Sequence, residues 1–367
     1  MNAYDLAHRR LCSQGISCGA LRMPHEAVSR LGALQAQDRP SSLWAIGLRV
    51  PSSSVEDIEK AVAAREIVRT WLLRGTLHFA AADDVRWMLR LLAPRLIAGS
   101  KRRDEQLRLD DQVYARSNEL FADALQGGAL LTRQEMMDVL KKAGISTAGQ
   151  RGYHILWHLA LTGLLCFGPM RGKQPTFALL DEWSPTGKEM TREGSLAELA
   201  RRYFIGHGPA KLPDFTWWSG LLTSDARAGL EMAKPRLVEE AFDGETYWSG
   251  PPGPPNEDEG GDLLLPGYDE FVIGYRDRSA VLDGRHSKKV LSSNGIFYPT
   301  IVIDGRVRGS WKANRKNKEI LVEASLFSAL SKAEVRSLED AAARYGSFVG
   351  LPSVINVRKA STIEPSP

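Results

Sequence analysis

The chain has 367 residues, 43% of them hydrophobic, and a formal net charge of +4. That length exceeds what one hydrophobic core usually serves, so two or three domains are expected. Neither a charged leader followed by an apolar stretch nor a run of about eighteen apolar residues occurs, which excludes a secretory signal and a membrane span and leaves a cytoplasmic protein as the expectation.

In chain order, the apolar periodicity predicts helices over 3–12, 25–34 and 55–64, then a pair of strands within 69–80. Thr132 with Glu135 reads as a capping box that opens a helix through Lys142, and a second helix follows over 148–164. Two strands, 164–168 and 175–180, flank the basic turn Pro169-Met-Arg-Gly-Lys173. Helix, helix, basic hairpin is the layout of a winged helix-turn-helix. A third such unit begins near Ser195, passes through Pro213 and ends in the strand 246–249. The proline and glycine run from Ser249 to Asp262 cannot sustain a helix or a central strand and marks a linker, placed at 251–262. Strands are expected after it over 262–275, 296–303, 306–311 and 319–327, with Asp304-Gly305 as a tight hairpin turn. The expected fold is therefore α+β: tandem winged helix-turn-helix units at 1–115, 116–190 and 191–250, then a β-rich, barrel-like domain at 263–367.

Charge is unevenly spread. Residues 276–318 hold eleven Lys or Arg against three Asp, a local +8 that leaves −4 for the rest of the chain. Such an excess suits a surface facing a polyanion, and it also suits a solvated, lysine-rich sheet edge. Cys12, Cys18 and Cys166 lack any Cys-x-x-Cys spacing and read as buried thiols.

Cofactor motifs are missing. Gly168-Pro-Met-Arg-Gly-Lys173 has one residue too few between its glycines for a phosphate loop. His154 and His158 share a helical face, but no third ligand is evident, so no metal site is expected. No Gly-x-Ser-x-Gly elbow occurs. Carboxylates at Asp38, Asp83, Asp84, Asp269, Glu270 and Asp277 lie near apolar stretches and mostly read as helix caps or surface charges, Asp83 and Asp84 as caps of the helix carrying Trp87. Gln35-Ala-Gln37 closes the helix predicted at 25–34. Arg39 precedes Pro40, so the backbone must leave the helix near Gln35 or Ala36. On an extended segment both amides can address one target; the alternative is that one caps the helix and the other is solvated.

Leu34-Gln-Ala-Gln-Asp38, Arg74-Gly-Thr-Leu-His78 with Asp84 and Trp87, Gly208-Pro-Ala-Lys-Leu-Pro-Asp-Phe-Thr-Trp-Trp-Ser-Gly220, Leu265-Pro-Gly-Tyr-Asp269 with Gly274-Tyr-Arg-Asp-Arg-Ser279, and Gly305-Arg-Val-Arg-Gly-Ser-Trp311 follow one another in order. Through them nearly the whole chain resembles the AlkZ/YcaQ-like bacterial DNA glycosylases, a winged-helix superfamily whose signature is Gln, an apolar residue, then Gln or Asp. The resemblance implies a monofunctional DNA glycosylase with Gln35 and Gln37 as catalytic residues, Gln37 positioning water and Gln35 as its partner. The Gln-x-Gln form resembles the branch that protects producers of DNA-alkylating antibiotics. Ala36 is smaller than that family's usual middle residue. The implied substrates are bulky N-alkylated purines of the N7-alkylguanine type, interstrand crosslinks among them. The implied partner is double-stranded DNA, bound by a monomer without a cofactor. Arg171 and Lys173 on the wing, and Arg285, His286, Lys288 and Lys289 in the loop 283–289, are the expected DNA contacts. The competing expectation is a non-catalytic winged-helix transcriptional regulator.

Overall fold

The computed structural model describes residues 2–18, 21–251 and 262–358. The chain opens with α1 (Ala3–Ser13), α2 (Pro24–Leu31), β1 (Leu34–Gln35), α3 (Arg39–Arg49), α4 (Val55–Ala63), β2 (Ile67–Trp71), β3 (Leu77–Ala81) and the long α5 (Ala82–Leu107). There follow α6 (Asp111–Leu125), β4 (Leu131–Thr132), α7 (Arg133–Lys142), α8 (Arg151–Leu161), β5 (Leu165–Arg171), β6 (Gln174–Leu179) and α9 (Leu180–Trp183). A helical block, α10 (Arg192–His207), α11 (Leu212–Ser219) and α12 (Thr223–Ala233), leads into the hairpin β7 (Val238–Phe242) and β8 (Glu245–Ser249). The last part holds β9 (Leu263–Leu265), α13 (Glu270–Ile273), α14 (Ser287–Val290), β10 (Thr300–Ile303), β11 (Arg306–Lys316), β12 (Glu319–Leu326), α15 (Lys332–Val349) and β13 (Ser353–Arg358).

The mixed α+β expectation holds. Thr132 and Glu135 form the capping box that opens α7, and β5 pairs with β6 across the turn at Gly172, with Arg171 opposite Gln174. Arg69 pairs with Phe167, so the hairpins join edge to edge into one six-stranded sheet, β1-β3-β2-β5-β6-β4. Asp304 and Gly305 both adopt positive φ, 52° and 71°, as a two-residue hairpin turn demands.

Four expectations change. The C-terminal sheet, β13-β12-β11-β10-β9, is open, so no closed barrel forms among the described residues. Its apolar side is covered instead by α15, which buries Leu338, Ala341, Ala342 and Phe348 and packs on β9, β12 and β13. The strand expected over 262–275 is short, only β9, and the same segment then turns into α13 because Asp269 caps it by accepting from the Phe271 N–H. The helix predicted to reach residue 34 stops at Leu31. Finally, Cys166 is buried but Cys12 and Cys18 are half-exposed. The linker expected at 251–262 falls largely on 252–261, outside the described residues.

Two apolar cores hold these layers. One is centred on α5, α8 and the α10–α12 block and includes Trp87, Phe121, Tyr203 and Trp218; the other joins α1–α4 to the C-terminal sheet through Trp44, Phe271, Ile301 and Phe348. No helix among the described residues is long and apolar enough to cross a membrane.

Candidate active site

The site begins at a glycine. Gly32 has φ +79°, a conformation L side chains rarely adopt, and it turns the chain out of α2 into β1 three residues before the first glutamine. Proline-driven exit near residue 36 is therefore not what ends the helix. From Leu34 the segment is extended and pairs antiparallel with β3, placing Gln35 opposite His78, and Ala36 donates its N–H to the Leu77 carbonyl at 2.7 Å. Arg69 reaches the carbonyl of Ala36 with Nε and Nη2 at 3.1 and 2.8 Å, which fixes the backbone between the glutamines.

Both glutamine oxygens point at the turn that joins β2 to β3. Gln35, 8% exposed, accepts from Arg74 Nη2 at 3.1 Å, while the exposed Gln37 accepts from the Leu77 N–H at 3.3 Å. Each carbonyl oxygen keeps a second lone pair for a water or a sugar hydrogen. The backbone N–H of Gln35 donates to Glu270 Oε1 at 3.2 Å, and Trp218 Nε1 and His207 Nε2 donate to Glu270 Oε2 at 2.9 and 3.3 Å. Glu270 is fully buried. Burial pushes its carboxyl up, but the hydrogen bond from His207 and the nearby positive charges outweigh that and hold it below its ordinary value. His78 goes the other way: burial, with Arg74 adding to it, lowers its imidazole to about 4 and keeps it neutral.

Around this lie buried ion pairs that bind distant parts of the chain. Arg49 grips Asp269 with Nη1 and Nη2 at 2.9 and 3.0 Å, both side chains fully buried. Arg202 pairs in the same bidentate way with Asp84, which also accepts from Trp87 Nε1 at 3.1 Å. Asp84 is thus a buried counter-ion and not the cap expected from the sequence; Ala81 occupies the cap position of α5.

The predicted residues fall in separate places. Gln35 ends the short strand β1 and Gln37 follows two residues on, in the bend past it, their side-chain oxygens held by Arg74 and by the Leu77 N–H. Arg171 and Lys173 sit at the tip of the β5–β6 hairpin, where Arg171 is held by Glu135 at 2.9 Å and by the Leu130 carbonyl, and Lys173 is exposed. The loop 283–289 is more ordered than a surface loop, forming a 3-10 turn and α14. Within it Arg285 folds back on Asp283, His286 stacks on Phe327 at 4.3 Å, Lys289 lies over the same ring, and Lys288 is exposed. On α8, His158 stacks on Tyr114 at 3.6 Å, and among the described residues no group of three or more His, Cys, Asp or Glu could hold a metal ion. Sequence reading missed His207 and the roles of Arg74, there only a motif residue, and Glu270. For Glu270 the available signal was a carboxylate inside the largely apolar run Leu263 to Tyr275, a position that needs partners once buried.

Comparison with known proteins places the chain as a whole. The chain is similar, at 26% identity over 359 residues covering 89% of this chain and 91% of the relative, to an interstrand DNA cross-link repair glycosylase of Streptomyces sahachiroi. Its fold matches the solved structure of Streptomyces sahachiroi DNA glycosylase AlkZ with a TM-score of 0.80, at 23% identity, across 97% of this chain and all of that one. A family model for AlkZ-like DNA glycosylases matches residues 28–348, and the chain belongs to that family of enzymes, hydrolases of N-glycosyl bonds.

Proposed function

We propose that the protein is a monofunctional DNA glycosylase for bulky N-alkylated purines, N7-alkylguanine adducts and interstrand crosslinks included, and that it protects a producer of a DNA-alkylating compound from its own product. The observation that carries this reading is the pair Gln35 and Gln37, preoriented by Arg74 and the Leu77 N–H and lacking any titrating group. Alkylation of a purine ring nitrogen makes the base cationic, so it leaves without a general acid. What remains is to hold a water near the anomeric carbon and to stabilise an oxocarbenium-like sugar, which oriented amide oxygens can do. Gln37, exposed at the end of the segment, positions the water; Gln35, held from both ends, is its partner. An amide is a poor base, so neutral bases are poor substrates.

The name of the Streptomyces relative supports crosslinks as substrates. Lys173 at the wing tip, Lys288 and Lys289 on α14, and Arg285, His286 and Arg171 beside them supply phosphate contacts in this reading, with the helix-helix-hairpin units acting as tandem winged helices on duplex DNA. Bulky adducts and crosslinks cannot readily be swung into a tight pocket, so an open cleft along the duplex suits them better.

The test is base release from duplexes carrying N7-methylguanine, a bulky N7-alkylguanine or an interstrand crosslink, read as alkali-labile abasic sites. Gln37→Ala is expected to slow release by about 10²- to 10³-fold, the usual cost of losing a preoriented polar group. No release by the wild type, or undiminished release by Gln37→Ala, refutes the reading.

A further inference from the structure

We propose that Glu270 is a positioning residue for Gln35, clamping its backbone while Arg74 clamps its side chain. This rests on the catalytic role given to Gln35 above. The contacts close into a ring. Gln35 N–H donates to Glu270 Oε1, Trp218 Nε1 donates to Glu270 Oε2, Arg74 Nη1 donates to the Trp218 carbonyl, and Arg74 Nη2 donates to Gln35 Oε1. His207 Nε2 adds a third donor to the same carboxylate. Gln35 is therefore fixed at two atoms by two oppositely charged groups, and both groups are joined through Trp218.

Only a carboxylate fits the hub. Its oxygens accept and never donate when ionised, so it can meet one N–H on Oε1 and two on Oε2. A glutamine in its place turns an NH2 toward either the Gln35 N–H or the Trp218 and His207 pair, and at least one buried donor loses its acceptor whichever way it flips. The fold makes room for this hub at some cost. A Cβ on Gly274, just after α13, would stand 2.5 Å from the Glu270 carbonyl oxygen and 2.8 Å from His207 Cδ2, so both the backbone here and the approach of the imidazole ask for a glycine. Asp269, the neighbour of Glu270, is anchored to Arg49, which ties the start of α13 to the end of α3.

The experiment is a double-mutant cycle on single-turnover release of N7-methylguanine from duplex DNA, with wild type, Gln35→Ala, Glu270→Gln and the double variant, and with duplex affinity measured in parallel. Glu270→Gln is expected to lower the rate about 100-fold, the scale of a misplaced catalytic group, with duplex affinity within about twofold of wild type. In the Gln35→Ala background the same change should cost less than about twofold, because its effect passes through a side chain already gone. An equal loss in both backgrounds overturns the proposal and makes Glu270 a merely structural residue; a loss seen only in affinity overturns it too. If Gln35→Ala leaves the rate unchanged, the catalytic assignment of Gln35 fails instead. Should Glu270→Gln not fold, Trp218→Phe removes one donor to the same carboxylate while keeping a ring in the core, and it is judged by the same two-background criterion.

Discussion

Replacing Asp269 by asparagine removes one charge from a pair that water does not reach, while keeping the shape and the side-chain oxygen that caps α13 at Phe271. Arg49 then keeps Gln14 Oε1 at 2.7 Å, the Gln14 carbonyl at 3.1 Å and the Ala45 carbonyl at 2.8 Å, but no counter-charge. Stranding one member of a buried pair costs about 3–5 kcal/mol, and the surviving acceptors put this case near the lower end, about 3 kcal/mol. With a urea dependence near the upper end for small proteins, about 3 kcal/mol per M, the midpoint should fall by about 1 M. Urea unfolding followed by tryptophan fluorescence reads this directly, since Trp44 and Trp218 lie in the two cores. A double variant, Arg49→Met with Asp269→Leu, should recover much of the loss, because it leaves no buried charge. A midpoint shift below about 0.3 M for Asp269→Asn would refute the view that this pair anchors α13.

Two further outcomes follow from charges placed by the fold. His78 is protonated in the unfolded chain below its ordinary value of 6.5 but in the folded protein only near 4, so the unfolded state binds the extra proton in between. Stability should therefore fall as pH drops from 6.5 toward 4, by on the order of 3 kcal/mol at the bottom of that window. His78→Leu should flatten that part of the urea-midpoint profile, and an unchanged slope would show that the imidazole takes up a proton while folded. Affinity for undamaged duplex should drop steeply with salt, and Lys288→Ala or Lys289→Ala should each reduce the slope of log K against log salt by about 1. Salt slopes identical to wild type would remove α14 from the DNA-facing surface.

Local chemistry in the sequence determined a good deal. The Thr132 and Glu135 pair specified where α7 starts, and Asp304-Gly305 specified a turn, because each satisfies a backbone requirement with residues at most three apart. Likewise, the family of the two-glutamine segment was legible, since a motif is read in order along the chain, whereas its backbone course was open between a shared target and a helix cap. Which residue ended α2 was misjudged from Pro40. Gly32 decides it, through a positive φ that sequence reading did not weigh. What only the tertiary structure decided is the surroundings of Gln35. Arg74 lies 39 residues away, and Glu270 235 residues away on an element that sequence patterning reads as strand. Buried polar groups need partners, but periodicity fixes only which face turns inward. Which donor meets which acceptor is settled when α11, α13 and the β2–β3 turn close on the same point.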